Sequence, residues 1–125
     1  VTLVLDAGAL LGYDRGDRVV QAFLERAARS GSEVLTTTGA VAQVWRNGTR
    51  QARLALLLHG VLEVGLGRPN ARRVGALLGA ARRSDVVDGS VVDAAADGDE
   101  ILTSDPADIA ALAAASGKTL IVTRI

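Results

Sequence analysis

The first five residues, VTLVL, form a nearly continuous apolar run rich in β-branched side chains. A half-exposed strand would alternate apolar with polar. An unbroken run suits a strand covered on both faces, as in a parallel sheet. Similar runs recur at EVLTT (33–37), VLEVGL (61–66), EILTS (100–104) and TLIVTRI (119–125). Between them lie segments with apolar residues at helical spacing: 16–30, 39–48, 50–60, 69–83, 85–98 and 106–116. Asn47-Gly48, Gly60, Gly98 and Gly117 mark helix ends, and Pro69 and Pro106 mark helix starts. The short AGALL after Asp6 reads as a turn. This alternation predicts an α/β chain, a three-layer α/β/α arrangement around a central, mostly parallel sheet of four to five strands.

At 125 residues the chain is one domain by length, spanning 1–125, without repeats or a long linker. Apolar residues make up 49% and charged residues 22%, so one ordinary core is affordable. Phe23, Trp45 and Tyr13 are the only aromatics, which argues against a stacking platform for single strands. Basic and acidic residues balance at 14 each, so any nucleic-acid site must be a local patch. The absence of cysteine excludes disulfides and thiolate metal sites, and lone His59 cannot build a zinc site. No apolar run reaches the ~20 residues of a membrane span, so no membrane partner and a cytoplasmic setting are the default expectations.

In open α/β sheets, ligands bind beyond the carboxyl ends of the strands. That rule selects Asp6, Thr36 to Thr38, and Ser104-Asp105. A carboxylate directly after a buried strand is costly unless it is paired, hydrogen-bonded or metal-bound. Asp105-Pro106 with Asp108 is also a good helix opening, with Asp105 as the cap and both acids at the positive helix end. Capping and ligation are compatible there. Asp88 lies near the start of the 85–98 helix, with Ser84 or Asp85 as cap. Asp93 and Asp97 lie roughly 140–180° around that helix from Asp88 and read as a solvated face. If Asp6, Asp88, Asp105 and Asp108 converge, they require a cation to stay ionised together. An all-oxygen donor set selects Mg²⁺, with Mn²⁺ as the second choice. Such an ion serves phosphodiester or phosphate-ester hydrolysis.

The segments LVLDAGAL, TTTGAVAQVWR, DVVDGSVVDAA and ILTSDPADIAAL, in that order, resemble a PIN domain, in particular the toxin half of a bacterial VapBC-type toxin–antitoxin pair. The resemblance covers nearly the whole chain. It implies a Mg²⁺-dependent endoribonuclease with an acidic pocket at the strand ends. Asp6 would be the strand-one acid, Asp88 the helix-start acid, Asp105 the acid after the fourth strand and Asp108 the fourth acidic group. Asp6, Asp88 and Asp105 would hold the metal, with Asp108 and Gln43 assisting. Thr36 to Thr38 sit where the family has small hydroxyl residues lining the site. The resemblance also implies an RNA substrate, a cognate antitoxin and a homodimer. One position departs: the family usually carries a glutamate where this chain has Gln43. An amide can ligate through its carbonyl but cannot act as a general base. The alternative is therefore a catalytically weakened PIN-domain module that binds antitoxin or RNA without efficient cleavage. Glu63, Asp93, Asp97 and Asp99 are the other acids available to substitute.

Arg46 and Arg50 share a face if the helix continues past Gly48, with Arg53 a turn further on. They are candidate contacts for RNA phosphates or an acidic partner, as is Thr37. Arg72, Arg73, Arg82 and Arg83 read as plain surface. LALLLHG is apolar enough to be either buried or an interface. Two other phosphate-handling α/β classes fit less well. A haloacid-dehalogenase phosphatase needs a second aspartate two residues after Asp6, where Gly8 stands. A receiver domain needs an early acidic pair that is missing, and a lysine near the last strand, for which Lys118 is the only candidate.

Overall fold

A computed structural model describes all residues from 1 to 125. The strands are β1 (Leu3–Leu5), β2 (Val34–Thr37), β3 (Leu62–Val64), β4 (Glu100–Thr103) and β5 (Ile121–Arg124). They form one sheet in the order β3-β2-β1-β4-β5, parallel throughout. The helices are α1 (Ala7–Asp14), α2 (Arg18–Ser30), α3 (Thr38–Val44), α4 (Ala52–Leu58), α5 (Arg68–Ala81), α6 (Val86–Ala94) and α7 (Pro106–Ser116). The result is the three-layer α/β/α fold expected from the alternating runs.

The continuous apolar runs are explained by two cores, one on each sheet face. Val4, Leu35 and Ile101 point into a core with α5, α6 and α7, through Val74, Leu77, Leu78, Val91, Val92, Ile109 and Leu112. Their strand neighbours Leu3, Leu5 and Leu102 point the other way, against Ala9, Leu10, Ala27, Ala40, Val44 and Leu54 of α1 to α4. Strand side chains alternate between faces, so a strand with two covered faces shows no regular alternation of apolar and polar residues. The chain winds outward from β1 to β2 and β3, then crosses back to β4 and β5. Right-handed crossovers leaving in opposite directions place their helices on opposite faces. The crevice between the carboxyl ends of β1 and β4 is therefore the natural ligand position.

Four local expectations change. AGALLGYD is a helix, not a turn; Asp6 caps it, and its Ala9 and Leu10 are fully buried. Packing of α1 against the sheet and against α3 and α4 outweighs the helix cost of Gly8 and Gly12. The helix expected over 39–48 stops at Val44, with Trp45 already extended. Buried Gln51 organises the loop: its Oε1 accepts from the N–H groups of Arg46 and Asn47, and its Nε2 donates to Val44 O. The helix expected over 85–98 stops at Ala94. There the Lys118 ammonium donates to the carbonyls of Val92, Asp93 and Ala95, at 3.1, 2.9 and 2.7 Å. Asp93 is not solvated, because Arg73 grips it with two hydrogen bonds of 2.6 and 2.9 Å and its side chain is 6% exposed. Within LALLLHG, Leu54 is buried and Leu56 is 70% exposed. No helix is long and apolar enough to cross a membrane.

The start of α1 packs tightly against the segment that follows β4. A Cβ at Gly8 would lie 1.9 Å from Ser104 Oγ and 2.6 Å from Ser104 Cβ. Rotating the hydroxyl cannot relieve both contacts, so backbone must move. Gly8→Ala is expected to cost about 1–3 kcal/mol in urea denaturation. Adding Ser104→Gly should recover most of that loss; no recovery would show that the strain lies elsewhere.

Candidate metal centre

Three carboxylates from two helix starts meet in the crevice beyond the strand ends. One oxygen from each of Asp88, Asp105 and Asp108 lies within 4.8 Å of the others. Asp85 caps α6, its Oδ1 accepting from Val87 N–H at 2.9 Å and Asp88 N–H at 3.1 Å. That cap fixes the first turn and sets Asp88, half-buried, facing the cleft. Asp105 occupies the N-cap position of α7 but makes no side-chain capping bond, contrary to the expectation from Asp-Pro. Its own N–H is held by Thr103 Oγ1 at 2.8 Å. Its carboxylate lies with those of Asp88 and Asp108. Asp108, in the first turn of α7, accepts from Arg83 Nε at 2.9 Å.

Asp6 stands behind this group and outside it. Its side chain is buried, with Oδ1 accepting from Ala9 N–H at 2.8 Å. Burial pushes its pKa above the usual carboxylate value, while hydrogen bonds from the Thr103 hydroxyl and the backbone of Ala9, Ser104 and Gly8 pull it down. Asp6 is still close enough to act on Asp88. The Asp88 pKa is pushed up to about 7, first by desolvation, then by the charges of Asp85, Asp105, Asp6 and Asp108. Asp105 is also raised, by desolvation and then by its hydrogen bond with Asp108 and that group's charge. Like charges brought close together raise carboxylate pKa values in this way.

The donor set fits a hard divalent cation: every ligand atom is a carboxylate oxygen, and three converge from a rigid pair of helix starts. A cleft of about 310 Å³ opens beside them, lined by Arg82, Arg83, Ser84, Asp85, Asp88, Asp108 and Leu112. Gln43 is exposed and lines a different cleft, with Ala7, Gly8, Leu11, Gly39, Val87 and Arg46. Gly8, in that second cleft, lies against Asp6: a Cβ there would stand 3.4 Å from Asp6 Oδ1.

No protein-family model matches the chain, and no curated protein matches it.

The remaining candidates distribute differently from their expected places. Thr37 is 2% exposed and caps α3 by accepting from Ala40 N–H, so burial removes it as a contact for RNA or a partner. Thr36 donates to Leu5 O and ties β2 to β1. Arg46 and Arg50 do not share a helix face, because α3 ends before both. Arg46 Nη1 turns back onto the carbonyls of Ala42 and Trp45, and Arg50 is exposed in the following loop. None of the four substitute acids joins the cluster. Asp93 is held by Arg73, Asp97 accepts from Thr119 N–H, Asp99 accepts from Thr2 and Ala96 N–H, and Glu63 is exposed on edge strand β3. Gly8 leaves no room for the second aspartate of a dehalogenase-type phosphatase, and Lys118 is committed to the end of α6. Arg83, expected as plain surface, instead lines the acid cleft and pairs with Asp108.

The Asp88 shift has a definite sign. A carboxyl whose pKa rises from 3.8 to about 7 on folding binds its proton more tightly in the folded state. Its stabilising contribution is complete below the unfolded value and is lost as pH rises through the folded one. In chelator, wild-type protein should lose stability relative to Asp88→Asn between about pH 4 and pH 7. Thermal melts of the two proteins across that window check this. Parallel curves would show that Asp88 titrates normally.

Proposed function

We propose that this protein is a metal-dependent phosphodiester hydrolase acting on RNA. The observation that carries the reading is the meeting of Asp88, Asp105 and Asp108 within 4.8 Å, at the crevice where β1 and β4 end. Asp88, Asp105 and Asp108 would hold Mg²⁺ or Mn²⁺. When bound, such an ion supplies charge neutralisation at phosphate oxygens and lowers the pKa of coordinated water. The chain's own contribution is positional. Asp85 fixes the first turn of α6 and with it Asp88. The Thr103 hydroxyl holds the backbone of Asp105. Asp6 ties the start of α1 to the end of β1 and adds negative potential behind Asp88. Ser84 and Asp85, which line the cleft, are both exposed.

RNA as the substrate rests on the order of the four PIN-like segments. The same resemblance extends the proposal to the toxin of a toxin–antitoxin pair, a homodimer regulated by a cognate antitoxin. A second reading is favoured by Gln43, which is neutral and lines the neighbouring cleft. In that reading the protein binds RNA or antitoxin and cuts poorly.

An RNA cleavage assay in Mg²⁺ or Mn²⁺ separates the two. Wild type should cut, chelator should stop it, and Asp88→Asn should slow it by about 100-fold or more, as loss of charge stabilisation does elsewhere. Asp6→Asn retains an oxygen for Ala9 and should fold but cut slowly. Cutting seen only in Gln43→Glu would favour the binding module. No cutting by any variant, with Mn²⁺ bound, would reject hydrolysis.

A further inference from the structure

Arg83 is held at the mouth of the acid cleft by an unusual piece of backbone. Helix α5 is capped at its C-terminal end by Arg82, the only non-glycine residue with positive φ, at 55°. Arg82 N–H donates to the carbonyls of Gly79 and Leu78, and Arg83 N–H donates to Leu78 O at 3.0 Å. Glycine normally fills this left-handed position, because a Cβ there crowds the neighbouring carbonyl oxygen. The turn sends Arg83 back toward α7. Its Nε donates to Asp108 Oδ1 at 2.9 Å, and its Nη1 to the carbonyls of Ala81 and Arg82, each at 3.3 Å. The guanidinium is thus fixed from both sides, and it is the one cation paired with a member of the carboxylate triad. Both partners keep contact with water, at 37% and 40% side-chain exposure.

A carboxylate oxygen that accepts from a guanidinium is a poorer ligand for a second cation. Arginine is also the side chain best matched to phosphate oxygens. We propose that Arg83 is the site's resident counter-ion. It holds Asp108 in the metal-free protein, yields it to the incoming cation, and then faces a phosphate oxygen of the substrate. This rests on the metal-dependent reading above and adds to it an ordered exchange of partners at Asp108.

The test uses binding, not turnover. Mn²⁺ affinity is measured by calorimetry for wild type, Arg83→Gln, Asp108→Asn, the double variant and the surface control Arg72→Gln. Arg83→Gln should bind Mn²⁺ about 2- to 5-fold more tightly, the factor an ion pair of this exposure is worth. The gain should vanish in the Asp108→Asn background and be absent in Arg72→Gln. Binding of a single-stranded oligodeoxynucleotide, as uncleaved analogue, supplies the second readout. Loss of Arg83 should weaken it only when Mn²⁺ is present, because in chelator the guanidinium stays on Asp108. Unchanged or weaker Mn²⁺ binding by Arg83→Gln, or an equal gain with Asp108 absent, would overturn the exchange while leaving the metal site standing. An oligonucleotide effect equal with and without Mn²⁺ would also overturn it. Failure of every variant to bind Mn²⁺ would remove the metal reading and this proposal together.

Discussion

One buried hydrogen bond, from Ala9 N–H to Asp6 Oδ1 at 2.8 Å, joins the parts on which the site depends. Asp6 ends β1, its own N–H donates to Leu102 O in β4, and its carbonyl accepts from Leu10 N–H in α1. A single residue thereby connects the two central strands and the first helix. Burial of a carboxylate is unfavourable, and here backbone and hydroxyl donors offset part of that cost. The charge Asp6 carries when ionised is one of the neighbouring charges that raise the pKa of Asp88.

The fold was legible because its periodicities were plain. Unbroken apolar runs gave strands with two covered faces, and the helical spacings gave their covers. The exception, α1, lies against the sheet on one side and against α3 and α4 on another. A helix covered in that way shows no polar stripe, and its two glycines imitate a turn. Helix ends were the other weak point. Val44 and Ala94 end their helices through Gln51 and Lys118, partners that lie seven and more residues away, and no local signal reports them.

The site was legible in part for the same reason. Asp88, Asp105 and Asp108 follow from the rule about strand ends and from first-turn positions, and they do come together. What spacing could not supply was the division of labour among the acids. Asp85 caps, Asp105 does not, and Asp6 stays behind the cluster. Arg83 was invisible because an arginine after a helix resembles ordinary surface. The usable signal was the lack of any glycine at Arg82-Arg83-Ser84, where α5 must turn sharply.

The chain carries a single lysine, and its ammonium is fastened to three carbonyls at the end of α6. Acylating reagents need a free amine lone pair, which Lys118 offers only after releasing those oxygens and losing a proton. The pace of its acylation, followed on the peptide that contains Lys118 and so apart from the α-amino group of Val1, would therefore act as a clock for the loosening of that corner.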